Sequence, residues 1–162
     1  MQTPAPIPTP IRDSDPVPPN RWSSPLARGV CRLMQDHGFA SVTEFSPTPG
    51  LRVDVMALGP KGEIWVIECK SGRADFNADR KWHRYLDWCD RFFWAVETDF
   101  PTGLLPPDSG VILADRHGGE IITRGPEVAL APARRKALTL AFARHCAWRL
   151  QRAEDPGLGS QF

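Results

Sequence analysis

The sequence predicts an α/β fold in which a mixed sheet is flanked by helices. Segments with the apolar spacing of helices stand at both ends of the central region, and short apolar runs of strand length lie between them. A chain of 162 residues with 41% apolar residues can form one domain with a real core, plus an appendage. The formal net charge of +1 argues against a strongly basic surface, so any nucleic-acid binding must come from local patches.

The predicted order of the elements is α-β-β-β-α-β, followed by further elements. Ser24-Pro25 opens the first helix, with Pro25 at its first position, and the helix runs to about His37, where Gly38 stops it. After this helix we expect strands over 40–46, 51–58 and 63–70, a helix over about 74–89, strands over 92–97, 110–114 and 120–123, and a last helix over about 132–152.

The two ends of the chain differ in composition from the central region. Residues 1–22 are rich in proline, which disfavours both helices and central strands, so we expect a disordered or polyproline arm. The folded domain is expected over 23–152, and residues 153–162 are expected to form a flexible tail. The arm is either passive or a docking segment for a partner protein.

Cysteine spacing and hydropathy limit the class of protein. Cys31, Cys69, Cys89 and Cys146 are widely spaced and form no CxxC pair, which argues against a zinc site and predicts reduced thiols of a cytoplasmic protein. No stretch approaches the roughly 18 apolar residues of a membrane helix. The N-terminus also lacks the pattern of a signal peptide.

Charged residues interrupt two apolar runs in the stretch 51–70, LRVDVMALGPKGEIWVIECK. Asp54 lies in the first run, and Glu68 and Lys70 lie two residues apart at the end of the second. Burial of these charges is unfavourable unless each is compensated. A divalent metal site would supply that compensation.

The turn between the two runs predicts how these residues face one another. The sequence Pro-Lys-Gly at 60–62 suits a three-residue hairpin loop that ends in a glycine bulge. Counting outward from this loop places Asp54 opposite Glu68, and Lys70 shares the face of Glu68. A four-residue loop would turn Asp54 to the other face, so the prediction depends on this register.

The predicted site has the chemistry of a magnesium-dependent hydrolase. Carboxylates of Asp54 and Glu68, with the backbone carbonyl of Cys69, are ligands that suit Mg²⁺ or Mn²⁺ rather than zinc. Such an ion lowers the pKa of a bound water and offsets charge on a phosphodiester. The ammonium of Lys70 would position or activate the attacking water.

Further residues are expected to support this site or to contact DNA. Asp75 and Asp79 lie near the start of the predicted helix 74–89, where they either stabilise its first turn, flank the site as supporting groups, or hold Arg73 and Lys81 in place. The rest of that helix carries an apolar stripe expected to pack on the sheet. The supporting candidates are Arg52, Ser71, Arg73, Asp75, Asp79, Lys81 and Tyr85.

Two motifs carry a resemblance to known families. Asp54 followed by Glu68-Cys69-Lys70 resembles the motif of the PD-(D/E)XK nuclease superfamily, with Val53 where the superfamily has proline. The segment ECKSGRADFNADRKWHRYLDWCDRFFWAVE, residues 68–97, is similar to the signature of the MmcB-like DNA repair proteins of bacteria. This resemblance, over roughly residues 25–150, implies a restriction-endonuclease-like core and a role in DNA repair.

The residues and the resemblance together favour a Mg²⁺-dependent DNA endonuclease or exonuclease, with Asp54, Glu68 and Lys70 as catalytic residues. A non-catalytic or weakly catalytic DNA-binding adaptor in repair is the alternative, and a hydrolase of RNA or nucleotides ranks third. The expected partner is DNA. Repair proteins as partners and a homodimer both remain open.

Overall fold

The computed structural model describes residues 24–157, so the predicted proline-rich arm and the end of the predicted tail lie outside the described residues. Within 24–157, six strands form one mixed sheet. The strands in chain order are β1 Ala40–Thr48, β2 Leu51–Leu58, β3 Ile64–Lys70, β4 Arg91–Val96, β5 Gly110–Ala114 and β6 Gly119–Thr123. The helices are α1 Pro25–Asp36, α2 Arg73–Ala78 and α3 Pro132–Glu154, with short 3₁₀ helices at Trp82–Trp88 and Thr102–Leu104.

The strands lie in the sheet in their chain order. The pairs β1–β2, β2–β3 and β5–β6 are antiparallel, whereas β3–β4 and β4–β5 are parallel. The segment between β3 and β4 therefore crosses one face of the sheet, and the carboxyl ends of β3 and β4 meet at the same edge. This arrangement confirms the predicted α/β class and the order α-β-β-β-α-β.

Helices cover both faces of the sheet. One face packs against α1, whose Ser24 hydroxyl accepts a hydrogen bond from the N–H of Ala27 at 3.0 Å and so caps the helix start. The other face packs against Leu138 and Phe142 of α3 and against Tyr85 of the crossover. Among residues 24–157, no helix combines the length and the apolar character needed to cross a membrane.

The hairpin between β2 and β3 has the predicted loop. The N–H of Gly59 donates to the carbonyl of Glu63 at 2.8 Å, and Gly62 adopts a φ of 85°, the left-handed conformation that suits glycine. Backbone pairing then runs from Leu58–Ile64 to Val55–Ile67. The predicted register is confirmed, because its next step places Asp54 opposite Glu68.

The prediction of a continuous helix over 74–89 is wrong. Helix α2 ends at Ala78, Asp79 takes an extended conformation with ψ 100°, and the chain resumes as the 3₁₀ helix Trp82–Trp88. The carboxylate of Asp79 accepts a hydrogen bond from the N–H of Lys81 at 2.9 Å, which offers the backbone an alternative to helical bonding. The predicted apolar stripe forms only in part, since Tyr85 is buried but Leu86 is 44% exposed.

Gly29 makes α1 sensitive to a single added carbon. A Cβ at this position would lie 1.6 Å from the carbonyl oxygen of Asp115 in the β5–β6 turn, so the helix touches that turn without room for a side chain. We expect Gly29→Ala to destabilise the protein by about 1–3 kcal/mol or more, measured by urea unfolding. Gly118→Ala is the control, because nothing lies within 4 Å of its added Cβ, and equal stability of both variants would contradict the prediction.

Candidate active site

The side chains of Asp54 and Glu68 occupy the gap where β2 and β3 separate. Regular backbone pairing ends at Val55–Ile67. One step further, the N–H of Asp54 donates to Oε1 of Glu68 at 3.0 Å, and the N–H of Cys69 donates to Oδ2 of Asp54 at 2.8 Å. Each carboxylate thus accepts a hydrogen bond from the opposite strand, which fixes both acids side by side.

An irregularity in β1 and β2 explains how Asp54 reaches this gap. Val53 and Met56 pack on the α3 face while Val55 packs on the α1 face, so the alternation of side chains changes at Asp54. Opposite this point Glu44 has a φ of 55°, and it falls between regularly paired residues. Such irregularities redirect side chains. Asp54 consequently lies where β2 separates from β3, and it lines two neighbouring clefts.

Lys70 brings a positive charge to the two acids. Its Nζ lies 2.8 Å from Oδ2 of Asp79 and 3.9 Å from Oε2 of Glu68. The same Nζ lies 5.6 Å from the centre of the Trp94 ring, which is fully buried. Lys70 and Glu68 are themselves only 7% and 3% exposed, so these charges meet in a largely dry setting.

Two clefts that differ in charge meet at Asp54 and Asp75. The larger, about 530 Å³, is lined by four acids and by an equal number of basic residues. The smaller, about 260 Å³, lies towards the start of α1, and every charged residue that lines it is acidic. The basic residues of the larger cleft are Arg52, Lys70, Arg80 and Lys81, and the acids of the smaller one are Glu44, Asp54, Asp75 and Glu97.

Comparison with known proteins places this chain in a family. Residues 19–157 match the family model described as DNA repair protein MmcB-like. The chain belongs to the MmcB-like DNA repair family. A solved structure of a protein of unknown function from Silicibacter pomeroyi is 61% identical, with a TM-score of 0.81 over 85% of this chain and 93% of that chain. No curated protein matches.

The electrostatics of this MmcB-like site favour an additional cation. Burial, followed by the neighbouring charge of Asp54, raises the pKa of Glu68 from 4.5 to about 8. Burial likewise raises the pKa of Asp54. Although burial opposes it, the hydrogen bond and charge of Asp79 raise the pKa of Lys70. Lys70 therefore supplies one positive charge that Asp79 already engages, so ionisation of both Asp54 and Glu68 calls for a further cation.

The donor set of the MmcB-like chain fits Mg²⁺ or Mn²⁺. Magnesium is held in many sites by one or two carboxylates together with waters and substrate phosphates. In the stretch 24–157, no group of three or more His, Cys, Asp or Glu side chains is assembled to hold a metal. Asp54 and Glu68 are the two carboxylates that would face a bound ion. Burial raises the pKa of the Cys69 thiol well above its usual value. Because Mg²⁺ prefers oxygen, the backbone carbonyl is the ligand atom that this residue would offer.

The other candidate residues of the MmcB-like chain divide into those at the cleft and those away from it. Arg52, Lys81 and Tyr85 line the larger cleft, and burial and then the Glu68 charge raise the pKa of the Tyr85 phenol. Arg73 is exposed at the start of α2 and lines neither cleft. Asp75 accepts hydrogen bonds from the N–H of Ser71 at 3.1 Å and from its hydroxyl at 3.3 Å, so it holds the turn after β3.

Sequence reasoning missed Arg80 and left the partner of Asp79 open. The sequence predicted a continuous helix through Asp79 and Arg80. In the structure Asp79 is extended, so its carboxylate contacts Lys70 and Arg80 lies at the larger cleft. Arg73 and Lys81 were candidate partners of Asp75 and Asp79. Of these, Lys81 contacts Asp79 through its backbone N–H, which donates to the carboxylate. The signal available in the sequence was the helix-disfavouring Asn77 and Asp79 around Ala78.

Proposed function

We propose that this MmcB-like protein is a metal-dependent nuclease that hydrolyses DNA phosphodiesters in repair. The observation that carries the proposal is that the carboxylates of Asp54 and Glu68 lie side by side, each accepting a backbone N–H of the opposite strand, with the Lys70 ammonium beside them. An acid on one strand, then Glu and Lys two residues apart on the next, is the arrangement of the PD-(D/E)XK superfamily. We therefore also propose membership of that superfamily.

The residues have separate tasks in such a reaction. Asp54 and Glu68, with the Cys69 carbonyl, would hold Mg²⁺ or Mn²⁺. When bound, the ion would lower the pKa of a water and offset phosphate charge. The Lys70 ammonium has three N–H donors and directs one at Asp79. Its other donors can orient the attacking water or contact a non-bridging phosphate oxygen, for in-line attack that leaves a 5′-phosphate and a 3′-hydroxyl.

The charges of the two clefts support an approach of DNA from one side. Arg52, Arg80 and Lys81 are exposed at the larger cleft, where they can contact phosphates on either side of the scissile bond. The smaller cleft carries acids alone as its charged groups and would repel a phosphate backbone. DNA is therefore proposed to lie across the larger cleft.

A DNA-binding adaptor with little or no cleavage is the second candidate. The ion pair of Lys70 with Asp79 supports this candidate. Nζ of Lys70 lies 2.8 Å from Asp79 and 3.9 Å from Glu68. A lysine held in this way can stabilise a DNA-binding fold without turnover. Such an adaptor would bring repair proteins to a lesion.

A cleavage assay separates the two candidates. Wild type, Lys70→Ala and the control Lys61→Ala, whose exposed lysine lies in the hairpin loop at the far end of β3, are incubated with branched, single-stranded and duplex DNA in Mg²⁺, Mn²⁺ or EDTA. We expect wild type and Lys61→Ala to cleave with metal only, and Lys70→Ala to cleave on the order of 10²–10³-fold more slowly. Binding without cleavage by wild type under every condition would refute the nuclease and support the adaptor.

A further inference from the structure

We propose that Asp79 is the positioning residue for the Lys70 ammonium, a role that rests on the proposed nuclease function. Oδ2 of Asp79 lies 2.8 Å from Nζ of Lys70. The Glu68 carboxylate, at 3.9 Å, is beyond hydrogen-bond distance, so Asp79 is the group that determines where the ammonium sits.

The carboxylate of Asp79 is itself held in place. Its other oxygen, Oδ1, accepts the N–H of Lys81 at 2.9 Å, and the N–H of Asp79 donates to the carbonyl of Phe76 at 3.1 Å. The side chain is only 9% exposed although the next two residues are exposed. Asp79 thus points inward from a short surface segment, with both oxygens engaged.

The break in the crossover helix is the feature that makes this contact possible. Helix α2 stops at Ala78, and the extended conformation of Asp79 aims its carboxylate at β3. The break departs from the helical spacing of residues 74–89, and departures from a regular pattern are expected at functional positions. The contact of Asp79 with Lys70 therefore accounts for both the break in the helix and the position of the ammonium.

The ammonium is held on one side and open on another. Trp94 lies under it, with 5.6 Å between Nζ and the ring centre, and Asp79 engages one of its three N–H donors. Lys70 lines the larger cleft together with Glu68, so its remaining donors can reach a phosphate bound there. If Asp79 merely neutralised a buried lysine, its loss would lower stability and leave turnover by the folded protein unchanged.

A spectroscopic experiment tests the contact without any cleavage. The chain has the lysines Lys61, Lys70, Lys81 and Lys136, so ¹⁵N labelling of lysine gives few ammonium signals, and Lys70→Arg identifies the one of interest. We expect a persistent Lys70 signal in wild type and in the control Asp87→Asn, an exposed acid of the same crossover. In Asp79→Asn the signal should broaden or shift, and an unchanged signal would overturn the proposal.

Cleavage kinetics test the consequence. Asp79→Asn is expected to lower kcat on the order of 10- to 100-fold with KM nearly unchanged, and Asp79→Glu to recover part of the loss, all at a temperature where circular dichroism shows each variant folded. A normal kcat in folded Asp79→Asn would overturn the positioning role alone. No cleavage by wild type would overturn the nuclease function, and with it the catalytic meaning of the contact.

Discussion

Asp90→Ala is expected to destabilise the protein by about 3–5 kcal/mol, because it leaves a partly buried arginine and two buried N–H groups without their partner. Asp90 is 4% exposed. Its oxygens accept the N–H groups of Ile64 and Leu130 at 2.7 and 2.9 Å and two N–H groups of Arg135 at 2.7 and 2.6 Å. One carboxylate therefore ties β3, the segment before α3 and α3 itself to the start of β4.

The pH dependence of this contribution follows from the same bonds. Although burial opposes it, the Arg135 guanidinium and the N–H groups of Ile64 and Leu130 lower the pKa of Asp90 below its usual 3.8. A depressed acid stabilises the fold above its ordinary pKa and loses that contribution as the pH falls through the folded value. The difference between wild type and Asp90→Ala should therefore be full at neutral pH and shrink below about pH 4.

Urea unfolding at neutral pH measures the change, and Asp108→Ala is the control because that acid is exposed. Asp108→Ala should lie within about 0.5 kcal/mol of wild type. A comparable loss for both variants, or a difference that persists undiminished in acid, would contradict the role given to Asp90.

The strands were predictable because the information that defines them is local. Runs such as IWVIECK and GVILA are apolar and short, and the Pro-Lys-Gly turn fixes the register of β2 and β3. The relation of Asp54 to Glu68 followed from that register. What could not be predicted is how their carboxylates bond, because this depends on the irregularity shared by Glu44 and Asp54 across two strands.

The crossover and Asp90 show where local information ends. Residues 74–89 have helical spacing, but a contact of Asp79 with Lys70 on β3 and the packing of Tyr85 favour a broken path. Asp90 is an acid at the start of an apolar run, and its partners Ile64, Leu130 and Arg135 are distant in sequence. Neither the contacts of Asp79 nor those of Asp90 produce a periodic pattern in the sequence, so they could be identified only from the tertiary structure.

Glu68→Gln is expected to change the pH dependence of stability by a few kcal/mol. In the folded protein the pKa of Glu68 is about 8 rather than 4.5, mainly through burial and then through Asp54. Between these values the folded state holds a proton that the unfolded chain has released, so stability falls as the pH rises through the window. Wild type in EDTA should therefore lose stability from about pH 5 to about pH 9, and Glu68→Gln should lose less.

A bound cation should cancel the same loss. Because Mn²⁺ would bind the ionised carboxylates of the native state, it should raise the thermal midpoint of wild type more at pH 8 than at pH 6. Asp54→Asn and Glu68→Gln should each remove this response, whereas Glu120→Gln, an exposed acid on β6, should keep it. Parallel pH profiles for wild type and Glu68→Gln would contradict the electrostatic account. A Mn²⁺ response without cleavage would instead separate the metal site, which depends on the two acids, from turnover, which also requires Lys70 in position.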